Sequence, residues 1–248
     1  MASFSQTAVA RPISRVTGRN GLVDKYFYFA ASLLIAAIVV LGFSQTVDQN
    51  LFHASPPRPL LLWIHGAAFS SWVLFFILQS ALVRTRNVKV HRFLGWFGAG
   101  LASVMVVLGC VIGVIMARFD WYTLHYTGTD VFLSVPFGDM LEFGPLVALA
   151  IFWRRKPELH RRLIFIATCC LLDAPFARFD YIYDHNLLFL CLDGVILLGV
   201  VRDMVVDHRI HKSYRIALPA LLVWQGVMIY LWRVAPAWWH TLTSRIVT

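Results

Sequence analysis

Seven apolar segments, at about 26–43, 60–83, 93–117, 134–153, 163–181, 186–201 and 216–232, limit what this chain can fold into more than any other feature. Most reach or approach the roughly 20 residues that an α-helix needs to cross ~30 Å of hydrocarbon. A segment in lipid must satisfy its backbone polar groups internally, which favours helix. The composition agrees: 59% of the residues are hydrophobic and 14% charged, whereas soluble domains carry roughly a quarter charged residues. The predicted fold is an all-α integral membrane bundle of about seven transmembrane helices. The sixth segment, "LLFLCLDGVILLGVV", is short and must recruit flanking residues or thin the bilayer.

Basic residues set the expected orientation. Arg11, Arg15, Arg19 and Lys25 precede the first segment, and Arg84, Arg86, Lys89 and Arg92 follow the second. Arg154, Arg155, Lys156, Arg161 and Arg162 follow the fourth, and Arg202, Arg209, Lys212 and Arg215 the sixth. These 17 of the 22 basic residues fall on one side, which predicts a cytoplasmic N-terminus and an external C-terminus. The net charge of +9 is then a topology signal, reinforced by anionic lipid headgroups on the cytoplasmic side. It calls for no nucleic acid. Residues 1–22, polar and rich in Ser and Thr at the start, read as a disordered cytoplasmic tail, and 23–248 as a single seven-helix domain. The first segment lacks a small-residue cleavage site and is expected to be retained. Cys110, Cys169, Cys170 and Cys191 all fall within apolar segments without CxxC spacing, as buried thiols rather than a disulfide framework or zinc site.

Ionisable side chains inside a bilayer are costly and ask for a partner or a task. Asp173 falls near the middle of the fifth segment, and Asp193 in the outer part of the sixth. Asp139 and Glu142, three apart, share one face of the fourth helix. His65 opens a stripe with Trp72 and Gln79 at seven-residue spacing, a pattern that drifts only ~20° per heptad and should face the bundle interior. Arg178 lies close behind Asp173 as its charge partner. Pro175 cannot return a hydrogen bond to the Leu171 carbonyl. His65, Asp139, Glu142, Asp173 and Asp193 are therefore candidate ligands for a proton or a divalent metal: one imidazole with several carboxylates suits a hard or borderline ion. A structural network, with Arg178 neutralising Asp173 or Asp180, is the alternative.

A second constellation recurs at the cytoplasmic helix starts. "KVHR" (Lys89–Arg92), "ELHR" (Glu158–Arg161) and "RIHK" (Arg209–Lys212) introduce the third, fifth and seventh segments. His91, Arg92, His160, Arg161 and His211 there form an alternative site for an anion such as a lipid headgroup, or for haem b between two of the imidazoles. Gly109 and Gly113, with Gly95 and Ala99, are small-residue pairs suited to close helix packing. Trp63, Trp121, Tyr122, Tyr181, Tyr183, Trp232, Trp238 and Trp239 fall where an outer aromatic belt is expected.

The run "HGAAFSSWVLFFILQSALVRTRNVKVHRFLGWFG" resembles a pattern in uncharacterised bacterial polytopic membrane proteins: a His, a Gln about fourteen residues on, then His-Arg-x-Leu-Gly. His65, Gln79, His91, Arg92, Leu94 and Gly95 match it, and "RRKPELHRRLIFIAT" resembles a second signature of that group. The resemblance covers about a fifth of the chain and implies a multi-pass protein of a bacterial inner membrane; it brings no reaction. A looser similarity to two-haem transmembrane b-type cytochromes fails at His65, which has no imidazole partner within a neighbouring span. The sequence thus points to cation or proton binding for transport or metal handling. A haem redox protein and a structural or assembly subunit of a membrane complex are the alternatives, and whether the chain is an enzyme stays open.

Overall fold

The computed structural model describes residues 19–248. It contains helices and connecting turns, with no strand among the described residues. The helices are α1 (Arg19–Ser44), α2 (Leu60–Arg84), α3 (Val88–Tyr122), α4 (Ser134–Phe152), α5 (Pro157–Cys169), α6 (Asp173–Phe176), α7 (Asp180–Asp184), α8 (Leu188–Asp207), α9 (Lys212–Arg233) and α10 (Ala237–Val247). Residues 1–18, most of the tail expected to be disordered, lie outside the described residues; α1 begins ahead of the expected boundary at residue 23. Five helical stretches, Gly21–Ser44, Leu60–Arg84, Val88–Tyr122, Val131–Phe152 and Lys212–Arg233, are long and apolar enough to cross a membrane. Their outward faces are apolar too. Leu60, Phe93, Val107 and Val223 are all more than 60% exposed, a surface that a water-soluble chain rarely presents.

The expected fifth span, 163–181, is not one helix. Helix α5 ends at Cys169, and at ~1.5 Å per residue its 13 residues fall well short of the bilayer thickness. The Leu172 N–H bonds back only three residues, to the Cys169 carbonyl at 2.9 Å. Four residues of α6 and five of α7 follow. Pro175 accounts for much of this: it has no N–H for the Leu171 carbonyl, and its ring crowds the preceding turn. The sixth segment lies in α8, which runs on to Asp207 and carries Asp193, Arg202, Asp203 and Asp207.

Packing is concentrated where small residues permit it. Helix α1 lies against α2, α6 and α8, while α4 contacts α3, α5 and α9. Gly42 of α1 meets α6 so closely that an added methyl would collide with the Pro175 carbonyl. Gly109 packs on Met140 and Gly113 on Pro136, so the GxxxG pair brings α3 against α4. Gly95 faces open space, and only one of the two expected small-residue pairs is shown to serve close packing. The largest apolar cluster joins Ile35, Phe165, Ile166, Leu192, Ile196 and Leu221. A second joins Trp72, Met105 and Phe143. Helix α10 closes one end of the bundle: the Trp239 indole donates to the Val131 carbonyl (3.1 Å) and Thr243 Oγ1 to Asp130 (3.0 Å). Trp239 is therefore a buried packing residue rather than part of an aromatic belt.

Candidate functional site

The break after α5 places Asp173 at the start of α6, facing α4. The Asp139 and Asp173 carboxyls sit against one another. Glu142, three residues along α4, shares their charge field and has the Cys170 thiol beside it, outside hydrogen-bond geometry. Asp193 comes from α8, adds its charge to the field at Glu142, and accepts a hydrogen bond from Gln225 Nε2 of α9 at 3.2 Å. All four acids are buried, with exposures of 5–9%. Four of their oxygens, Asp139 Oδ1, Glu142 Oε1 and Oε2 and Asp173 Oδ1, are fully buried without a hydrogen-bond partner. Buried polar groups in proteins are almost always paired, so this concentration is unusual.

His65 and Arg178 form a flank of this cluster rather than members of it. The His65 ring stacks on Phe69 with centroids 4.1 Å apart, its Nδ1 is unpartnered, and the charge it feels is Arg178. Arg178 makes no ion pair with Asp173 or Asp180 among the described residues. Its Nη1 donates to the Ala174 carbonyl at 2.5 Å, and its guanidinium lies 4.4 Å from the Phe43 ring centre. No three His, Cys, Asp or Glu side chains among the described residues converge closely enough to hold a metal ion.

The stripe on α2 turns inward. Trp72 is buried and its Nε1 donates to Thr168 Oγ1 at 3.3 Å. Gln79 is buried with its Oε1 2.6 Å from His91 Nδ1. His91 and His160 come together, their ring centres 6.1 Å apart and their planes at 73°. His160 Nδ1 donates to the Ala150 carbonyl at 2.9 Å. Both Nδ1 atoms thus donate to carbonyl oxygens, leaving the Nε2 lone pairs of the neutral rings as acceptors or ligands. His211 plays a different part: its Nδ1 accepts from the Ser213 N–H (3.2 Å) and caps α9. Burial and the Arg162 charge hold that imidazole below its usual range, so the neutral, accepting form is favoured. Arg92 is exposed, and Arg161 pairs with Glu158 at 2.7 Å and Asp24 at 3.2 Å.

Sequence reasoning missed the strongest electrostatic feature. Arg162 and Arg202 are buried in an ion network with Asp203 at its centre. Arg162 Nε and Nη2 donate to Asp203 at 2.7–3.1 Å, and its Nη1 donates to Glu158 at 2.5 Å. Arg202 Nη1 donates to Asp203 (2.8 Å) and Asp207 (2.7 Å), and its Nη2 to Asp24 of α1. Burial pushes the Glu158 carboxyl up, but Arg162 and Arg161 outweigh it and hold that carboxyl below its usual range. The clasp ties α1, α5 and α8 at one end. Its signal was visible as the Asp203 and Asp207 carboxylates four apart beyond a short apolar segment. Gln225 was missed as well, although a lone amide in an otherwise apolar segment is the signal for it.

Compared with known proteins, the chain matches no family model, no curated protein and no solved structure.

Proposed function

We propose that this chain is a seven-span protein of a bacterial inner membrane, N-terminus inside, that handles protons or small cations at the Asp139–Glu142–Asp173–Asp193 pocket. In this reading the spans are α1, α2, α3, α4, the interrupted α5–α6 segment, α8 and α9, and the 17-to-5 basic asymmetry sets their direction. Labelling of single cysteines at Ser5 and Thr248 from opposite sides of the membrane is the expected result; labelling from the same side would refute an odd number of spans.

The observation that carries the function is the set of four buried, unpartnered carboxylate oxygens, three on α4 and one from Asp173 at the interruption after α5. Irregular backbone at membrane depth is tolerated where it lines a polar cavity, and broken helices frame the ion sites of many transporters. The pocket has four acids and a single base, Arg178, at longer range. An excess of acid in a bilayer calls for bound protons or cations. The lack of a converging three-ligand set favours the proton over the divalent metal. Infrared difference spectra of the purified protein between acid and alkaline pH should show a protonated-carboxyl band that diminishes in Asp139→Asn and in Glu142→Gln. Identical spectra for both variants and the parent would remove the proton reading.

A second reading rests on His91 and His160. Two imidazoles bound to one metal at ~2 Å each have ring centres about 6 Å apart, and the observed separation is 6.1 Å. Metal-bound histidines usually donate the other ring N–H to a carbonyl or similar acceptor, as Gln79 and Ala150 permit here. These two residues would hold a b-type haem, which would supply one-electron chemistry at that end of the bundle. Protein purified from haem-supplied cells should then show a Soret band that is lost in His91→Ala and His160→Ala. A colourless preparation refutes this second reading.

A further inference from the structure

Helices α8 and α9 touch only sparsely, and between the start of α8 and the end of α9 lies a groove of about 350 Å³. Leu188, Phe189, Ile229 and Trp232 line it, with Asn186 and Arg233 as its polar members. Ile229 is 43% exposed, so the groove lies open on the apolar outer face of the bundle. Both polar members are exposed, and what they present is donors. Arg233 Nη2 donates to Asn186 Oδ1, and the guanidinium lies 4.1 Å from the Trp232 ring centre. These contacts hold the guanidinium in place and use one of its five N–H groups. Arg58 and Arg118, basic residues of the same end, are engaged by Asp120 and by the Ile246 carbonyl. Arg233 has no carboxylate partner among the described residues. Asp184, two residues before Asn186, ends α7 and is not part of the lining. At ~30 Å³ for each water-sized group the groove holds about a dozen such groups, room for much of one acyl chain.

We propose that this groove seats one glycerophospholipid of the surrounding leaflet, its phosphate bound by Arg233 and the Asn186 amide and one acyl chain laid along Leu188, Phe189 and Ile229. Charge complementarity selects the occupant. A guanidinium fork matches two phosphate oxygens, and a mouth that offers donors disfavours an amine or any other cation. A helix from a protein partner could cover the apolar walls but would leave the guanidinium in need of an acceptor. Arg233 and Trp232 end α9, the level at which headgroups meet a membrane-spanning helix. The groove lies outside the acidic pocket, so the proposal stands or falls independently of the proton reading.

Native mass spectrometry of the full chain in a mild non-ionic detergent, titrated with dioleoylphosphatidylglycerol, tests this. One lipid should be retained per chain, with affinity lowered about tenfold or more in Arg233→Gln, the loss expected for a charge-assisted bond. Ile229→Trp, which fills the groove and keeps the charge, should lower it as well. Both substitutions change exposed side chains and should leave the fold intact. Arg245→Gln, an exposed charge outside the groove, should leave the affinity unchanged. Dioleoylglycerol, which lacks the phosphate, should not be retained. Retention that survives Arg233→Gln or Ile229→Trp unchanged, or that dioleoylglycerol or oleate matches, overturns the proposal. Displacement of the lipid by millimolar inorganic phosphate also overturns it, assigning the mouth to a free anion. So does a dimer that Ile229→Trp disperses, which would assign the groove to a second copy of the chain.

Discussion

Asp203→Ala is expected to cost the fold about 3–5 kcal/mol, the range for breaking a buried ion pair from one side. Asp203 is fully buried and accepts hydrogen bonds from Arg162, Arg202 and the His211 backbone N–H. Its removal takes the only fully buried counter-charge from two guanidiniums that are themselves 1–2% exposed; Glu158, Asp207 and Asp24 still pair with them, so the loss falls at the lower end of that range. Domains are stable by only about 5–15 kcal/mol, so the variant should show a sharply reduced yield and a lowered midpoint in detergent unfolding. The exposed contact between His53 and Asp48, equally short at 2.7 Å, should matter little when broken, because solvent screens it. A change under about 1 kcal/mol for Asp203→Ala would mean the clasp is not closed in the folded protein.

The same clasp shows what the sequence conveys and what it hides. Length and apolarity announced the helices, since those quantities are local. Arg162 and Arg202 looked like cytoplasmic anchors, because adjacent basic residues at a helix end ordinarily face headgroups. That they turn inward depends on Asp24, Glu158, Asp203 and Asp207 arriving from three helices; the four-residue spacing of Asp203 and Asp207 hints at it, but the meeting itself is a tertiary fact. The inward stripe of Trp72 and Gln79 was legible, because periodicity alone places it. The break at Cys170–Leu172 was half legible: Pro175 predicts a kink and a freed carbonyl, but not that the chain restarts as two short helices. The acids were each conspicuous in an apolar setting. Their depth along the segments grouped them as one candidate set; His65, placed in the same set, has Arg178 as the charge acting on it.

Glu142→Met should make the protein more stable, by on the order of 2 kcal/mol, somewhat below the ~2.5–3.5 kcal/mol insertion penalty of an acidic residue at the centre of a membrane helix. Methionine is close to glutamate in volume and fills irregular space readily. The substitution sacrifices no hydrogen bond, because neither Glu142 oxygen has a partner. Asp193→Leu in the same pocket should do the reverse. It removes the acceptor of Gln225 Nε2 and leaves a buried amide unpaired, a loss of about 1–3 kcal/mol. Opposite signs for two buried acids within one charge field follow from their partners and not from their burial. An acid retained at a stability cost is retained for binding, a trade-off common at functional sites. Unfolding midpoints of both variants decide the matter: if Glu142→Met destabilises as Asp193→Leu does, Glu142 is a structural member of the network and the pocket loses its claim to bind a cation.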